Sequence, residues 1–383
     1  MDKVRIGVIG VGGMGTHHAK YIQAGEINRL ELAAICDTNP KRLEQFADIP
    51  KFTNSSELIR SGLVDAVLIA TPHYEHTPIS IDALQNGLHV LVEKPIAVHK
   101  ADAQRMIDAH KGTGLVFQAM FQMRTEPLYK KIKQLISNGE LGEFTRMTWI
   151  VTDWFRTEAY YASGEWRATW KGEGGGVLLN QCPHNLDLMQ WLLPMPAKVR
   201  AFCKFGRWHD IEVEDEVTAY FEYPNGATGV FITSTGEAPG TNRLEISGER
   251  GKLTIENGKI RFIRNEVPMS EFSRTSTGAF SRPEHWYIDV PTGGGPSGHK
   301  VITQNFVDAI LDGAELISPA PEGINSVELA NAMLYSSLTD STVELPLDAS
   351  AYEAMLQDLC AKSKYQKKVV REASDDINAS WHR

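Results

Sequence analysis

Apolar residues follow two rhythms along the chain, and the change between them falls near Gln122. In the first third, residues 4–9, 32–36, 64–70, 89–92 and 115–119 are short apolar runs without a polar face. Runs of that kind are strands covered by helices on both sides. Amphipathic stretches at 78–86 and 100–110 separate them, with Gly87 and Gly112 placed to end the helices. Strand and helix in alternation predict an α/β unit, a doubly wound parallel sheet of the Rossmann kind, over residues 1–122.

Past an expected helix at 127–138 the rhythm changes. Residues 144–155, 199–205, 217–223, 227–233, 243–247, 252–256 and 259–263 read as strands, with Pro224-Asn225-Gly226 and Asn257-Gly258 as hairpin turns. Linked hairpins build a large, mainly antiparallel sheet, which needs cover on one face only. Helices are expected at 299–312, 326–337 and 351–360, surface loops at 273–282 and 291–298, and a frayed tail beyond Lys364. Residues 123–383 are thus expected to form a second, α+β domain. Its strands mix polar and apolar residues on both faces: Thr148, Trp149, Ile150 and Val151 in one, Val230, Phe231 and Ile232 in another. The face turned away from the helices is therefore expected to bury against another copy, in a symmetric dimer or tetramer.

Composition narrows the classes. A chain of 383 residues exceeds one ordinary core, in keeping with two domains. A net charge of -9 gives no basic footprint for nucleic acid or anionic membranes. No apolar run approaches the roughly 18 residues of a membrane span, and the apolar start of MDKVRIGVIG is too brief for a signal peptide. Cys36, Cys182, Cys203 and Cys360 lack C-x-x-C spacing and read as reduced thiols. These features point to the cytoplasm.

The first strand runs directly into Gly10-Val11-Gly12-Gly13-Met14-Gly15, a G-x-G-x-x-G pattern. Gly10 permits a tight turn, Gly12 lets the backbone approach a pyrophosphate, and Gly15 lets the next helix pack on the sheet. The phosphate would then rest on free N–H groups at a helix N-terminus. Asp37 ends the second strand, where a carboxylate accepts both adenosine ribose hydroxyls and repels a 2′-phosphate. NAD is the expected cofactor. Lys41 and Arg42, close behind, leave NADP open.

At the carboxyl end of the 89–92 strand stand Glu93, Lys94 and Pro95, on the side of a doubly wound sheet where ligands bind. A fixed ammonium beside a nicotinamide can hold a substrate hydroxyl and favour its alkoxide. A surface lysine that happens to follow a strand is the plainer alternative. Further on, Asn180, His184 and Asp187 follow Gly174-Gly175-Gly176 at spacings that place them on one face of a helix. Pro183 fits such a helix only in its first turn. His184 could accept the proton that leaves a hydroxyl; a buried histidine bonded to a carbonyl is the bland reading. Asp187 reads as a structural anchor. Trp154, Arg156, Tyr160, Tyr161, Trp166 and Trp170 form an aromatic stretch suited either to stacking on a carbohydrate or to packing between domains. His17-His18 and His73-x-x-His76 lack the cysteine or carboxylate partners of a zinc site, so no metal is expected.

Together the glycine fingerprint, Glu93-Lys94-Pro95 and the Gly-Gly-Gly…Asn180…His184…Asp187 block resemble the Gfo/Idh/MocA family of glucose–fructose oxidoreductases and inositol dehydrogenases. The resemblance extends to residues 305–310 and to Ser326-Val327-Glu328. It implies that Lys94 and His184 serve catalysis. It further implies that Thr71, Pro72, His73, His76, Glu93 and Gln122 line the nicotinamide side, and that Trp166 and Arg167 reach the cofactor or substrate. The family often has aspartate where this chain has Asn180, an amide that can bond a sugar hydroxyl but carries no charge.

The expected activity is hydride transfer between a nicotinamide and a secondary hydroxyl of a sugar, sugar derivative or cyclic polyol. Two alternatives stand beside it. One is a glycoside-cleaving enzyme that oxidises C3 transiently and recycles bound NAD. The other is a dinucleotide-sensing binding protein, which would have no need of both Lys94 and His184.

Overall fold

The structure is a computed structural model and describes residues 2–368. Six parallel strands form the first sheet, in the order β3-β2-β1-β4-β5-β6. They are β1 (Val4–Ile9), β2 (Leu30–Cys36), β3 (Lys51–Phe52), β4 (Ala66–Ile69), β5 (His89–Val92) and β6 (Phe117–Ala119). Helices α1 (Gly13–Gln23), α2 (Pro40–Leu43), α3 (Ser55–Ile59), α4 (His73–Gln85) and α5 (Lys100–His110) connect them. Strand order reverses between β1 and β4, the crevice where such sheets bind ligands. The unbroken apolar runs have a direct cause, because alternate residues feed opposite cores. Ala66 and Leu68 enter one cluster, while Val67 and Ile69 enter the other.

The second sheet has nine strands, in the order β14-β13-β12-β11-β7-β10-β9-β8-β15. Its members are β7 (Phe144–Val151), β8 (Lys198–Phe205), β9 (Glu214–Glu222), β10 (Thr228–Ser234), β11 (Asn242–Gly248), β12 (Gly251–Glu256), β13 (Lys259–Asn265), β14 (His285–Val290) and β15 (Val343–Glu344). Only the β7–β10 pair is parallel. The helices of this half are α6 (Pro127–Ser137), α7 (Glu158–Ala162), α8 (Pro183–Leu192), α9 (Met269–Thr275), α10 (His299–Asp312), α11 (Gly323–Leu338) and α12 (Ala349–Lys362). Trp149, Phe221, Phe231 and Leu244 bury inward with Leu186 of α8 and Met333 of α11. The other face leaves Thr148, Ile150, Val230 and Ile232 half-buried. Residue 122, the expected boundary, opens the 3₁₀ turn Gln122–Thr125, yet α10 returns to the first sheet through Ile302, Phe306 and Val307.

Several elements differ from expectation. The helix expected from residue 78 begins at His73 and carries Pro78 inside; buried Ile79, Ala83 and Leu84 compensate for the missing backbone bond. The strand expected over 144–155 ends at Val151. The 273–282 segment overlaps α9, and β14 was not expected, because Trp286 and Tyr287 are exposed and the strand shows no buried face. Past Lys364, Tyr365 donates to the Asp210 carbonyl and Lys367 to that of Arg167. The rest of the expected frayed tail, residues 369–383, lies outside the described residues.

Candidate active site

The loop after β1 has the geometry of an anion cradle. Gly10 stands at φ 87°, where an added Cβ would come within 2.7 Å of the Ala70 carbonyl. At Gly15 an added Cβ would fall 1.7 Å from the Gly10 carbonyl, so α1 can approach the sheet only with glycine there. Gly12 caps α1 without a side-chain bond, and Gly13 and Met14 open the helix with free N–H groups. Asp37 lies at the end of β2, buried, and accepts from the main-chain N–H groups of Val11 (2.9 Å) and Asn39 (2.8 Å). Arg42 reaches the same carboxylate at 3.4 Å. An uncapped helix, a turn that admits no Cβ at Gly10 or Gly15, open space over Gly12 and a carboxylate at the rim fit a dinucleotide with free ribose hydroxyls.

The next strand ends build the floor of the crevice. Pro72 caps α4, and the buried Thr71 hydroxyl has no partner among the described residues. The His76 ring stands between the Thr71 carbonyl (2.9 Å) and that of Pro95 (2.8 Å), in the loops after β4 and β5, and as a neutral ring donates to one of the two. His73 reaches the Glu173 carbonyl at 3.3 Å and packs edge-on against Trp166. Glu93 points back into the first domain, where His18 meets its carboxylate at 2.8 Å. Burial by itself would raise the Glu93 carboxyl, but the bond to His18 and nearby positive charge hold it at about 2. His18 continues to Tyr21 (2.8 Å) and thence Thr303 of α10 (2.7 Å). His18, of the His17-His18 pair, thus anchors Glu93.

Lys94 faces the other way. Its ammonium donates to the Asn180 carbonyl at 2.9 Å, across the junction of the two sheets. Burial pushes this ammonium below its usual value, and Glu93 and Glu173 pull against that shift. His184 is buried in the first turn of α8, next to the helix-opening Pro183. Burial, then the charge of Lys94, holds its ring well below the usual imidazole value, so the ring is neutral and able to take a proton. The Gln122 amide meets its Nε2 at 3.2 Å. Nδ1 of His184 and Oε1 of Gln122 are buried and have no partner among the described residues. Turning the amide over puts Oε1 on an Nε2–H and leaves Nδ1 a bare acceptor.

Asn180 is not on the helix. It lies in the turn before α8, with its N–H bonded to the Gly176 carbonyl, because Pro183 is the first residue the helix accepts. Asp187 is an anchor, as its spacing suggested: Arg124 holds it at 2.6 and 2.8 Å, both fully buried. The glycine run before Asn180 has its own support. The Glu214 carboxylate accepts from the N–H groups of Gly176 (2.8 Å) and Leu178 (3.0 Å), and burial raises it to about 7.

Trp154, Arg156, Trp166 and Arg167 gather around Tyr160, over whose ring both guanidiniums lie, at 4.9 and 4.6 Å from its centre. Arg156 also covers the Trp154 ring and Arg167 that of Trp166. The Tyr160 hydroxyl donates to Asn180 Oδ1 at 3.2 Å, so the aromatic stretch does meet the lysine end of the crevice. Sequence reasoning missed His18, Gln181 and Glu173. None stands in a recognisable spacing, although Glu173 lies directly before the glycine run that drew attention.

Comparison with known proteins agrees with this geometry. The family model described as "Oxidoreductase family, NAD-binding Rossmann fold" matches residues 4–121, and the GFO/IDH/MocA C-terminal domain matches 129–254. A levoglucosan dehydrogenase from Pseudarthrobacter phenanthrenivorans is 25% identical, covering 90% of this chain and 99% of the relative. A myo-inositol 2-dehydrogenase from Thermotoga maritima is 27% identical over 66% of this chain and 75% of its own. The WlbA dehydrogenase of Bordetella pertussis, solved with NADH and UDP-GlcNAcA, superposes with a TM-score of 0.76 at 28% identity, covering 90% of this chain and all of that one. The parallel first sheet with the glycine cradle after β1 and the mainly antiparallel second sheet are those of an NAD-binding oxidoreductase, and the chain belongs to the Gfo/Idh/MocA family.

Proposed function

We propose that the protein oxidises a secondary hydroxyl of a sugar, sugar derivative or cyclic polyol, with Lys94 and His184 as the catalytic pair. The observation that carries this reading is the meeting of an ammonium from β5 and a neutral imidazole from α8 in one crevice, beyond the carboxyl ends of the first sheet. Gly10, Gly12, Gly13, Met14 and Asp37 would hold the pyrophosphate and adenosine ribose of NAD, with Thr71, Pro72, His73, His76, Glu93, Gln122, Trp166 and Arg167 toward the nicotinamide. The nicotinamide, when bound, supplies the hydride acceptor. Lys94 would exchange the Asn180 carbonyl for the substrate oxygen and stabilise its developing negative charge. His184 would take the hydroxyl proton at its bare nitrogen as the C–O bond becomes a carbonyl. Trp154, Arg156 and Asn180 would hold the remaining hydroxyls and the C–H faces of the ring. The names of the relatives, levoglucosan and inositol dehydrogenases, support that substrate class.

Two further assignments belong to the same proposal. The half-buried outer face of the second sheet would pair with a second copy, giving a dimer or tetramer. The cytoplasm is the compartment favoured by four free cysteines and by the absence of a helix long and apolar enough to cross a membrane among the described residues. Reduced-nicotinamide absorbance, followed across a panel of polyols, sugars and glycosides with NAD and with NADP, tests the activity. Reduction of NAD by a cyclic polyol or sugar is expected; glycoside cleavage without added cofactor would replace this reading.

A further inference from the structure

Glu173 is buried at 1% exposure, and its carboxylate closes a directed chain of hydrogen bonds. The backbone reaches that point through glycines. An added Cβ on Gly172 would meet the Trp166 carbonyl at 2.3 Å, and one on Gly174, at φ 80°, would meet Val98 at 2.1 Å. Oε2 of Glu173 accepts from the N–H of Ala168 at 2.5 Å, and Ala168 sits at φ 56°, a left-handed conformation that alanine avoids. Oε1 accepts from the side-chain amide of Asn180. That bond fixes which end of the amide faces where. Asn180 Oδ1 is left to accept from the Tyr160 hydroxyl (3.2 Å), which itself accepts from Arg167 (2.8 Å) and Gln181 (3.1 Å). The main-chain carbonyl of the same Asn180 takes the Lys94 ammonium.

A carboxylate only accepts, so every donor in the chain points toward it. An amide in its place has one acceptor oxygen for two donors. Either Ala168 loses its acceptor, or Asn180 must turn over and the Tyr160 hydroxyl proton faces a donor. We propose that Glu173 is a positioning residue: as the terminal acceptor it sets the orientation of Asn180, and through it the Tyr160–Arg167 arm on one side and the Lys94 ammonium on the other. The proposal rests on the reading that Lys94 binds the reacting oxygen.

The chain predicts an unusual rescue. Glu173→Gln reverses one bond and is expected to lower kcat by about 10- to 100-fold, with the KM for NAD little changed. Glu173→Gln combined with Asn180→Asp exchanges amide and carboxylate. The new amide donates to the new carboxylate, Ala168 keeps its acceptor, and Tyr160 again donates to an oxygen. At least tenfold of the lost kcat is expected to return, with the melting temperature lost in the single variant. Turnover in Glu173→Gln equal to the wild type, or a double variant no better than the single in both readouts, would overturn the proposal. If the wild type oxidises no polyol or sugar, the reaction assignment fails by itself. The melting temperatures then decide the chain: recovery in the double variant supports it, and none refutes it.

Discussion

The Lys94 ammonium and the Asn180 main-chain carbonyl meet at 2.9 Å, and this bond joins the end of β5 to the turn that opens α8. It holds an ammonium where a substrate oxygen would bind, beside a histidine whose ring burial and Lys94 keep neutral. Oxidation of an alcohol needs that neutral ring. The rate is therefore expected to rise with pH through an apparent pKa below the ordinary 6.5 of imidazole, a value belonging to the coupled pair. A pH profile of kcat/KM checks this. An acid limb centred above about 7.5 would contradict it.

Cofactor choice is expected to turn on Asp37. Arg42 lies 3.4 Å from that carboxylate, and its guanidinium would stand 3.9 Å from a Cβ on Gly12, over the phosphate cradle. Asp37→Ser removes the repulsion of a 2′-phosphate and releases Arg42 to attract one. The ratio of kcat/KM for NADP over NAD is expected to rise by about one to two powers of ten, each power corresponding to about 1.4 kcal/mol. A wild type that already prefers NADP would contradict the assignment.

Stability is expected to fall in mild acid. Burial lowers the rings of His73, His76, His184 and His299, the last to about 3. The unfolded chain binds protons at these sites below pH about 6.5 while the folded chain does not, so each contribution is present above that pH and lost as pH falls. Each neutral histidine contributes at most about 1.4 kcal/mol per pH unit in that window. Glu214, raised to about 7, acts oppositely and favours the folded state as pH drops toward 4.5. His209, raised against burial by its bond to Asp215, and Glu173 and Asp187, raised by burial, act in the same sense as Glu214. His17, His89 and His99 are lowered by burial and add to the fall, so the lowered histidines outnumber the raised groups and a net fall remains. Thermal melts at pH 7 and 5.5 measure it, and an unchanged or higher melting temperature at 5.5 would exclude a neutral buried set.

The parallel first sheet, the glycine loop and the lysine at a strand end were legible because each is written locally. A strand buried on both faces shows an unbroken apolar run, and turn positions that admit no Cβ, Gly10 and Gly15, show glycine. The helix position of Asn180 was misread for a physical reason: spacing alone gives the right face, but Pro183 decides where α8 begins. His18 was illegible because its partner lies in a distant element, and Glu173 because its partners, the Ala168 N–H and the Asn180 amide, lie five and seven residues away in irregular backbone that follows no helix or strand period. His18 meets Glu93 from 75 residues away, and nothing in periodicity marks such a pair. Strand β14 failed differently, since its exposed Trp286 and Tyr287 carry no buried alternation to detect.

The outer face of the second sheet is expected to pair. Ile150, Val230 and Ile232 stand there half-buried, whereas Trp149 and Phe231 beside them are fully buried inward. Ile232→Glu places a charge on that face without touching the core. Light scattering at micromolar concentration is expected to show a dimer or tetramer for the wild type and a smaller species for the variant. A monomeric wild type would refute the pairing.

The sharpest test returns to Lys94. Lys94→Ala is expected to leave NADH binding nearly intact, because the glycine loop and Asp37 hold the far end of the dinucleotide. Turnover is expected to fall by about two to four powers of ten, the range for a positioned proton-transfer or electrostatic group. His184→Ala is expected to lose a similar amount. The two losses are not expected to add, since groups that manage one proton act as a unit. Removing the ammonium also takes a positive charge from beside the His184 ring, which that charge now helps to keep neutral. In Lys94→Ala the residual rate should therefore show its acid limb shifted to higher pH, toward the ordinary imidazole value. Fluorescence titration with NADH and steady-state rates for both single variants and the double supply every number needed. Near-normal turnover in Lys94→Ala would remove the catalytic assignment and favour a dinucleotide sensor on the same fold.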